Sequence, residues 1–291
     1  MKQENYIKGM VMIILSAFFF ACMNVSVRLA GDLPSIQKSF FRNLVAFFFA
    51  LILMKRDHVG FSGKKENLWQ LILRSTFGTI GILCNFYAVD HLVLADASML
   101  NKMSPFFAIL FSFLILKEKV KPAQAVIVAG AFAGSLFIIK PSPLNMELVP
   151  ALIGLLGGMS AGAAYTFVRS LGIRGEKGPF IVCFFSGFSC LVTLPYLLVR
   201  FHGMTWAQLG FLLLAGLAAA GGQFAITAAY CHAPAREISV YDYSQIIFSA
   251  VLGFVIFGQV PDRFSVLGYV MICAMAVVMF LYNRKYIQIS V

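Results

Sequence analysis

The chain has 291 residues, 60% of them hydrophobic and 12% charged, with a formal net charge of +11. A soluble domain carries roughly 25% charged and 45–50% apolar residues, so the apolar surplus exceeds what one soluble core can hide and calls for a bilayer. The positive charge does not mark a nucleic-acid binder, because Lys and Arg fall mostly between apolar runs, as topogenic charges do, and not in one soluble patch.

A membrane-spanning helix needs about 20 mostly apolar residues. In chain order the stretches that qualify, or nearly so, are 7–30, 36–54, 67–89, 92–116, 122–139, 148–170, 179–199, 206–230, 238–258 and 264–283. The first is too long for the apolar region of a signal peptide and lacks a convincing cleavage site, so it reads as a membrane helix. It carries Asn24. The second carries Arg42 in its outer half, placed either to grip a carboxylate or phosphate or to reach the outer interface. The third opens near Trp69, an interfacial anchor. It also carries Asn85, Tyr87 and Arg74, the last close enough to the cytoplasm to snorkel. On the fourth, Ser98, Asn101, Lys102 and Pro105 share one face at helical spacing. Pro105 frees the carbonyl about one turn earlier, near Asn101, which is tolerable at that depth only beside protein or a water-filled cavity.

The fifth and sixth spans carry Gly130 and Gly134, and Gly154, Gly158 and Gly162, at the four-residue spacing that lets helices approach closely. Tyr165 follows on the sixth, and Gln223 and Tyr230 lie on the eighth, which opens at Trp206. On the ninth, Tyr241, Asp242 and Gln245 form a polar face, with Glu237 at its mouth. Intramembrane ionisable residues cost roughly 2.5–3.5 kcal/mol on insertion scales. Lys102 and Asp242 are therefore expected to line a substrate cavity, or to neutralise each other as a structural pair. Both hold if substrate or a proton competes for the pair. The candidate substrate-binding residues are Arg42, Asn101, Lys102, Tyr241, Asp242, Gln245, Asn24, Asn85, Tyr165 and Gln223; the candidates for proton coupling are Asp242 and Glu237. The combination of Arg42, Lys102 and Asp242 would suit a zwitterion.

Connections are short, the longest running from Lys55 to Glu66, so no soluble domain intervenes. Cys22, Cys84, Cys183, Cys190, Cys231 and Cys273 read as free thiols in apolar surroundings. His91 and His232 read as caps of helix ends. No metal-ligand cluster, phosphate loop or cofactor motif is present. Of the 23 Lys and Arg residues, three (Arg42, Arg74, Lys102) lie inside spans and five (Arg28, Lys38, Lys140, Arg200, Arg263) on one side, which leaves 15 on the side of the N-terminus. That bias puts both termini in the cytoplasm, as an even number of spans permits.

A shift of 141 residues superposes the halves without a gap over several helices: Val27-Arg28 falls on Val168-Arg169, His91 on His232, Asp96 on Glu237, Ser98 on Ser239, Asn101 on Asp242 and Glu118 on Gln259. Each half, 1–143 and 144–291, then has five spans. Five is odd, so the halves enter the membrane in opposite senses as an inverted repeat, the architecture of many carriers. The expected fold is all-α integral membrane, ten transmembrane helices as two inverted five-helix repeats.

Ala95-Asp96-Ala97-Ser98 through Ser104-Pro105, followed by Leu116-Lys117-Glu118-Lys119, resembles the drug/metabolite transporter superfamily, in its ten-helix bacterial branch of two EamA-type domains. Phe257-Gly258-Gln259-Val260 occupies the matching place in the second half, with Gln where the family usually has Glu, and Gln245-Ile246 stands where a Pro is common. The resemblance implies a carrier in the cell membrane moving small organic solutes by alternating access, with efflux of amino-acid-like or amphipathic compounds favoured and uptake or exchange of a larger metabolite as the alternative. A membrane enzyme is disfavoured by the scattered histidines, and a channel by the lack of a filter-like repeat or charge ring.

Overall fold

The computed structural model describes residues 2–60, 65–116, 121–140, 147–232 and 239–289. The chain forms helices α1 (Lys2–Leu29), α2 (Ser35–Arg56), α3 (Leu68–His91), α4 (Leu94–Asn101), α5 (Ser104–Leu116), α6 (Pro122–Ile139), α7 (Leu148–Ile173), α8 (Gly178–Arg200), α9 (Trp206–His232), α10 (Ser244–Phe257) and α11 (Arg263–Ile289). Among the described residues, eight helices are long and apolar enough to cross a membrane. The other two passes are interrupted helices. One is α4 followed by α5; the other is a 3-10 turn, Ser239–Tyr243, followed by α10. This is an all-α integral membrane protein.

Helix ends follow local chemistry. Thr205 and Gln208 satisfy each other's backbone N–H groups at the start of α9, at 2.9 and 3.2 Å, a capping box. Asp262 accepts from the Ser265 N–H at 2.7 Å and so caps α11. Gly258 ends α10 in the left-handed conformation at φ 64°, which a side chain would strain.

The polarity of the protein is inside-out. Trp206 is 89% exposed, and Leu198, Val199, Phe254 and Val255 are also exposed. Meanwhile Asn24, Lys38, Arg42, Asn43, Arg74 and Lys102 are buried. Such a continuous apolar exterior is stable only against lipid. Helix α1 packs chiefly on α9, α3 on α7, α2 on α8 and α6 on α11, while α7 also receives α4 and α5, and α10 lies against α1 and α4. The glycine faces serve these contacts. A Cβ at Gly158 would collide with the Leu100 carbonyl oxygen, and one at Gly162 would lie 2.7 Å from the Ser104 carbonyl oxygen. Helix α7 is thus pressed directly onto the interruption between α4 and α5. Gly134 and Gly268 bring α6 and α11 together in the same way.

Candidate functional site

The two interrupted helices meet. Helix α4 ends at Asn101, Lys102 and Met103 form a turn, and α5 starts at Ser104. Pro105 cannot donate backward, and the Phe106 N–H bonds to the Met103 carbonyl, not to that of Lys102. Besides the Asn101 carbonyl, which Pro105 leaves without its usual donor, the Lys102 carbonyl is therefore also released, and the buried Tyr243 hydroxyl donates to it at 3.0 Å. From the same turn the Lys102 ammonium reaches Asp242 Oδ2 at 2.6 Å. Asp242 lies in the 3-10 turn ahead of α10, not several residues into a regular helix. The ion pair and the Tyr243 bond thus tie the break of one half to the break of the other.

A cavity of about 90 Å³ lies beside this junction, bordered by Asn24, Arg42, Arg74, Asn85, Asn101, Lys102, Tyr165, Gln223 and Gln245, with Phe20 and Phe185 among its apolar walls. Eight of the ten expected substrate-binding residues therefore share one space. Tyr241 does not: it packs against the Ile13–Ala229 cluster. Asp242 stands behind Lys102 and does not border the cavity. Glu237 lies outside the described residues, as does the side chain of Tyr230. Tyr87 is stacked on His91 with ring centroids 4.1 Å apart, away from the cavity lining.

Arg42 is 3% exposed and donates from Nη1 to Asn43 Oδ1 at 2.6 Å, so it points inward and does not reach the interface. Asn43 in turn donates to Ser39 and, at 2.8 Å, to Ser189 Oγ on α8, which fixes its amide. Arg74 corrects the expectation from depth. It is 6% exposed and borders the cavity, with its guanidinium 3.8 Å from the centroid of the Phe185 ring. Depth along the helix suggested snorkelling. The helix face, set by packing of α3 on α7 and α8, turns the side chain inward instead. A polar chain leads away from the cavity: Asn85 donates to Asn24 at 3.2 Å, Asn24 to Ser98 at 3.4 Å, and the Ser98 and Ser249 hydroxyls are 2.7 Å apart.

The end of the molecule opposite the N-terminus is laced by bonds between different elements. Lys38, fully buried, pairs with Asp90 at 2.6 Å. Arg28 donates to the Leu92 carbonyl at 2.6 Å and lies over Phe257. Gln37 and the His202 backbone exchange two bonds, and Gln208 donates to the Ala30 carbonyl. Gln259 accepts from the Leu94 N–H at 3.0 Å and so caps α4. Tyr269 donates to Asp96 at 2.6 Å, and Lys140 pairs with Asp262. Partial burial works to raise the Asp262 carboxyl, but the Lys140 contact and the Ser265 N–H outweigh it and hold the group below the usual carboxylate range.

The profile of the EamA-like transporter family matches residues 7–140. The chain is 34% identical to the pseudopaline exporter of Pseudomonas aeruginosa over 266 residues, covering 91% of this chain and 93% of that protein. It is 27% identical to the riboflavin transporter of Rhizobium johnstonii, covering 91% and 88%. It is 26% identical to human solute carrier family 35 member G1, covering 91% and 77%. A crystal structure with 17% sequence identity superposes with a TM-score of 0.65, covering 95% of this chain and 98% of the other, a likeness of fold.

Proposed function

Because this chain belongs to the EamA-like transporter family, and is on that basis a multi-pass membrane transporter of small metabolites, we propose that it exports an amino-acid-like metabolite across the cell membrane by alternating access. The observation that carries this reading is the Lys102–Asp242 pair, which joins two interrupted helices at the wall of a polar cavity. Broken membrane helices place backbone and charge where a hydrated ligand can use them. Asp242 Oδ1 has no hydrogen-bond partner but stands behind Lys102, so a proton competes for it directly, while cargo competes through Lys102, which borders the cavity. Competition for Asp242 loosens the link to Lys102, and the two halves are then free to rock.

The helix pairings support an inverted repeat of 1–143 and 144–291. Under a shift of five spans, the α1–α9 contact becomes the α7–α3 contact, while the pairs α2–α8 and α6–α11 map onto themselves. The two packings that such symmetry makes nearly equivalent would open to opposite sides. The bonded end opposite the N-terminus is the closed side in this reading, and the basic excess puts both termini in the cytoplasm. Export is favoured over uptake by the export activity in the name of the relative that is 34% identical.

The test is counterflow in proteoliposomes loaded with a metabolite extract. Wild-type protein should exchange label with saturation. Asp242→Asn and Lys102→Met, at equal membrane levels, should each lose most of it. Normal exchange by both variants sinks the central role of the pair.

A further inference from the structure

Two guanidiniums face the same cavity without an acid. Arg42 on α2 and Arg74 on α3 are both buried there. Arg42 spends Nη1 on the neutral amide of Asn43, and its Nε has no partner. Neither Nε nor Nη1 of Arg74 has a partner, and its neighbour is the face of the Phe185 ring. Among the described residues, the ion pairs involve neither arginine, and Asp242 is already taken by Lys102. An unpaired buried cation is strongly disfavoured, and two in one space repel each other. The cost is maintained by geometry. A Cβ at Gly78 would sit 2.5 Å from Arg74 Nη1 and 2.8 Å from Phe185, so the missing side chain at Gly78 is what leaves room for the guanidinium between α3 and the ring. A guanidinium confined in this way keeps unused donors, and a planar oxyanion is the partner that matches a guanidinium fork.

We infer that the cavity is built for a cargo bearing two negative oxyanion charges, taken up by Arg42 and Arg74. The inference rests on the transporter reading and narrows it from amino-acid-like solutes to those with an anionic excess. The space of about 90 Å³ is worth roughly three waters, so it receives a compact dianion or the doubly charged end of a longer molecule. Two carboxylates, or one phosphate group, supply the same chemistry.

Titration calorimetry of the purified protein in lipid nanodiscs separates the outcomes, with succinate, inorganic phosphate and acetate as probes. Wild type should bind succinate or phosphate at least tenfold more tightly than acetate. Succinate alone identifies paired carboxylates, and phosphate alone a single phosphate group. Arg42→Gln and Arg74→Gln should each weaken that binding tenfold or more, and Arg74→Lys should fall between. Gly78→Ala keeps every charge but displaces the Arg74 fork. It should weaken binding in the same direction, and it stays readable if an arginine variant fails to fold. Equal affinity for acetate and both dianions, or unchanged affinity in Gly78→Ala and both Gln variants, overturns the inference. Counterflow of a neutral solute without dianion binding would overturn it while leaving the transporter reading intact. Dianion binding without any counterflow would do the reverse.

Discussion

Lys102 and Asp242 show how much one side chain depends on its partner. A buried ion pair is weak evidence of stability, but breaking one side leaves an uncompensated charge and costs about 3–5 kcal/mol. Asp242→Asn should therefore lower the thermal midpoint more than the double variant Lys102→Met/Asp242→Asn does, and equal midpoints would show that the two are not coupled. Tyr243→Phe strands the buried Lys102 carbonyl that its hydroxyl serves. The expected loss is about 1–3 kcal/mol, read as a fall in midpoint that Tyr196→Phe on α8 does not produce. Most of the cavity was legible from polar residues set into apolar runs, since Asn24, Asn85, Gln223 and Gln245 have few other reasons to lie at such depth. Arg74 was not. Hydropathy reports distance from the interface, whereas the inward turn of Arg74 depends on Phe185, more than 100 positions away, and on the absence of a side chain at Gly78.

At the scale of elements, the informative feature is α7 seated on the gap between α4 and α5. Gly158 faces the Leu100 carbonyl, which is backbone and cannot swing aside. Gly158→Val should push the helices apart and cost several kcal/mol or abolish folding. Gly172→Ala on the same helix meets nothing within 4 Å and should gain up to about 1 kcal/mol of helix propensity. Fluorescence-detected size exclusion after a heat step compares the two directly. The spans themselves followed from apolar length, and the glycine spacing announced close packing. The interruptions were only half visible. Pro105 marked the first, though the break fell at Lys102–Met103. Nothing comparable marked the second: no proline lies within the 3-10 turn at Ser239–Tyr243, whose Asp242 and Tyr243 bond to Lys102 more than 100 positions away.

For the whole molecule, the proposed closure at the bonded end opposite the N-terminus can be tested directly. Removing Gln37 and Gln208, which bridge α2 and α9 to distant backbone, should speed alkylation of a single cysteine placed at Gln245 when an impermeant reagent acts from that side. An unchanged rate would show that the closure lies elsewhere. The Lys140–Asp262 contact is not a pH switch in the physiological range. The Asp262 carboxyl is held below the carboxylate range, so its stabilising contribution is present above about pH 4 and fades only as pH falls below that. Any pH dependence of transport between pH 5 and 8 should therefore survive Asp262→Asn. The cavity charges carry one more consequence. With Lys102 balanced by Asp242, the empty site holds the unbalanced charges of Arg42 and Arg74, while a site filled by a dianion is neutral. Each elementary charge carried across a membrane potential of 100 mV is worth about 2.3 kcal/mol. The electric field then acts on the return of the vacant carrier and leaves the loaded step alone, so exchange of cargo for cargo should be indifferent to voltage and net flux should not.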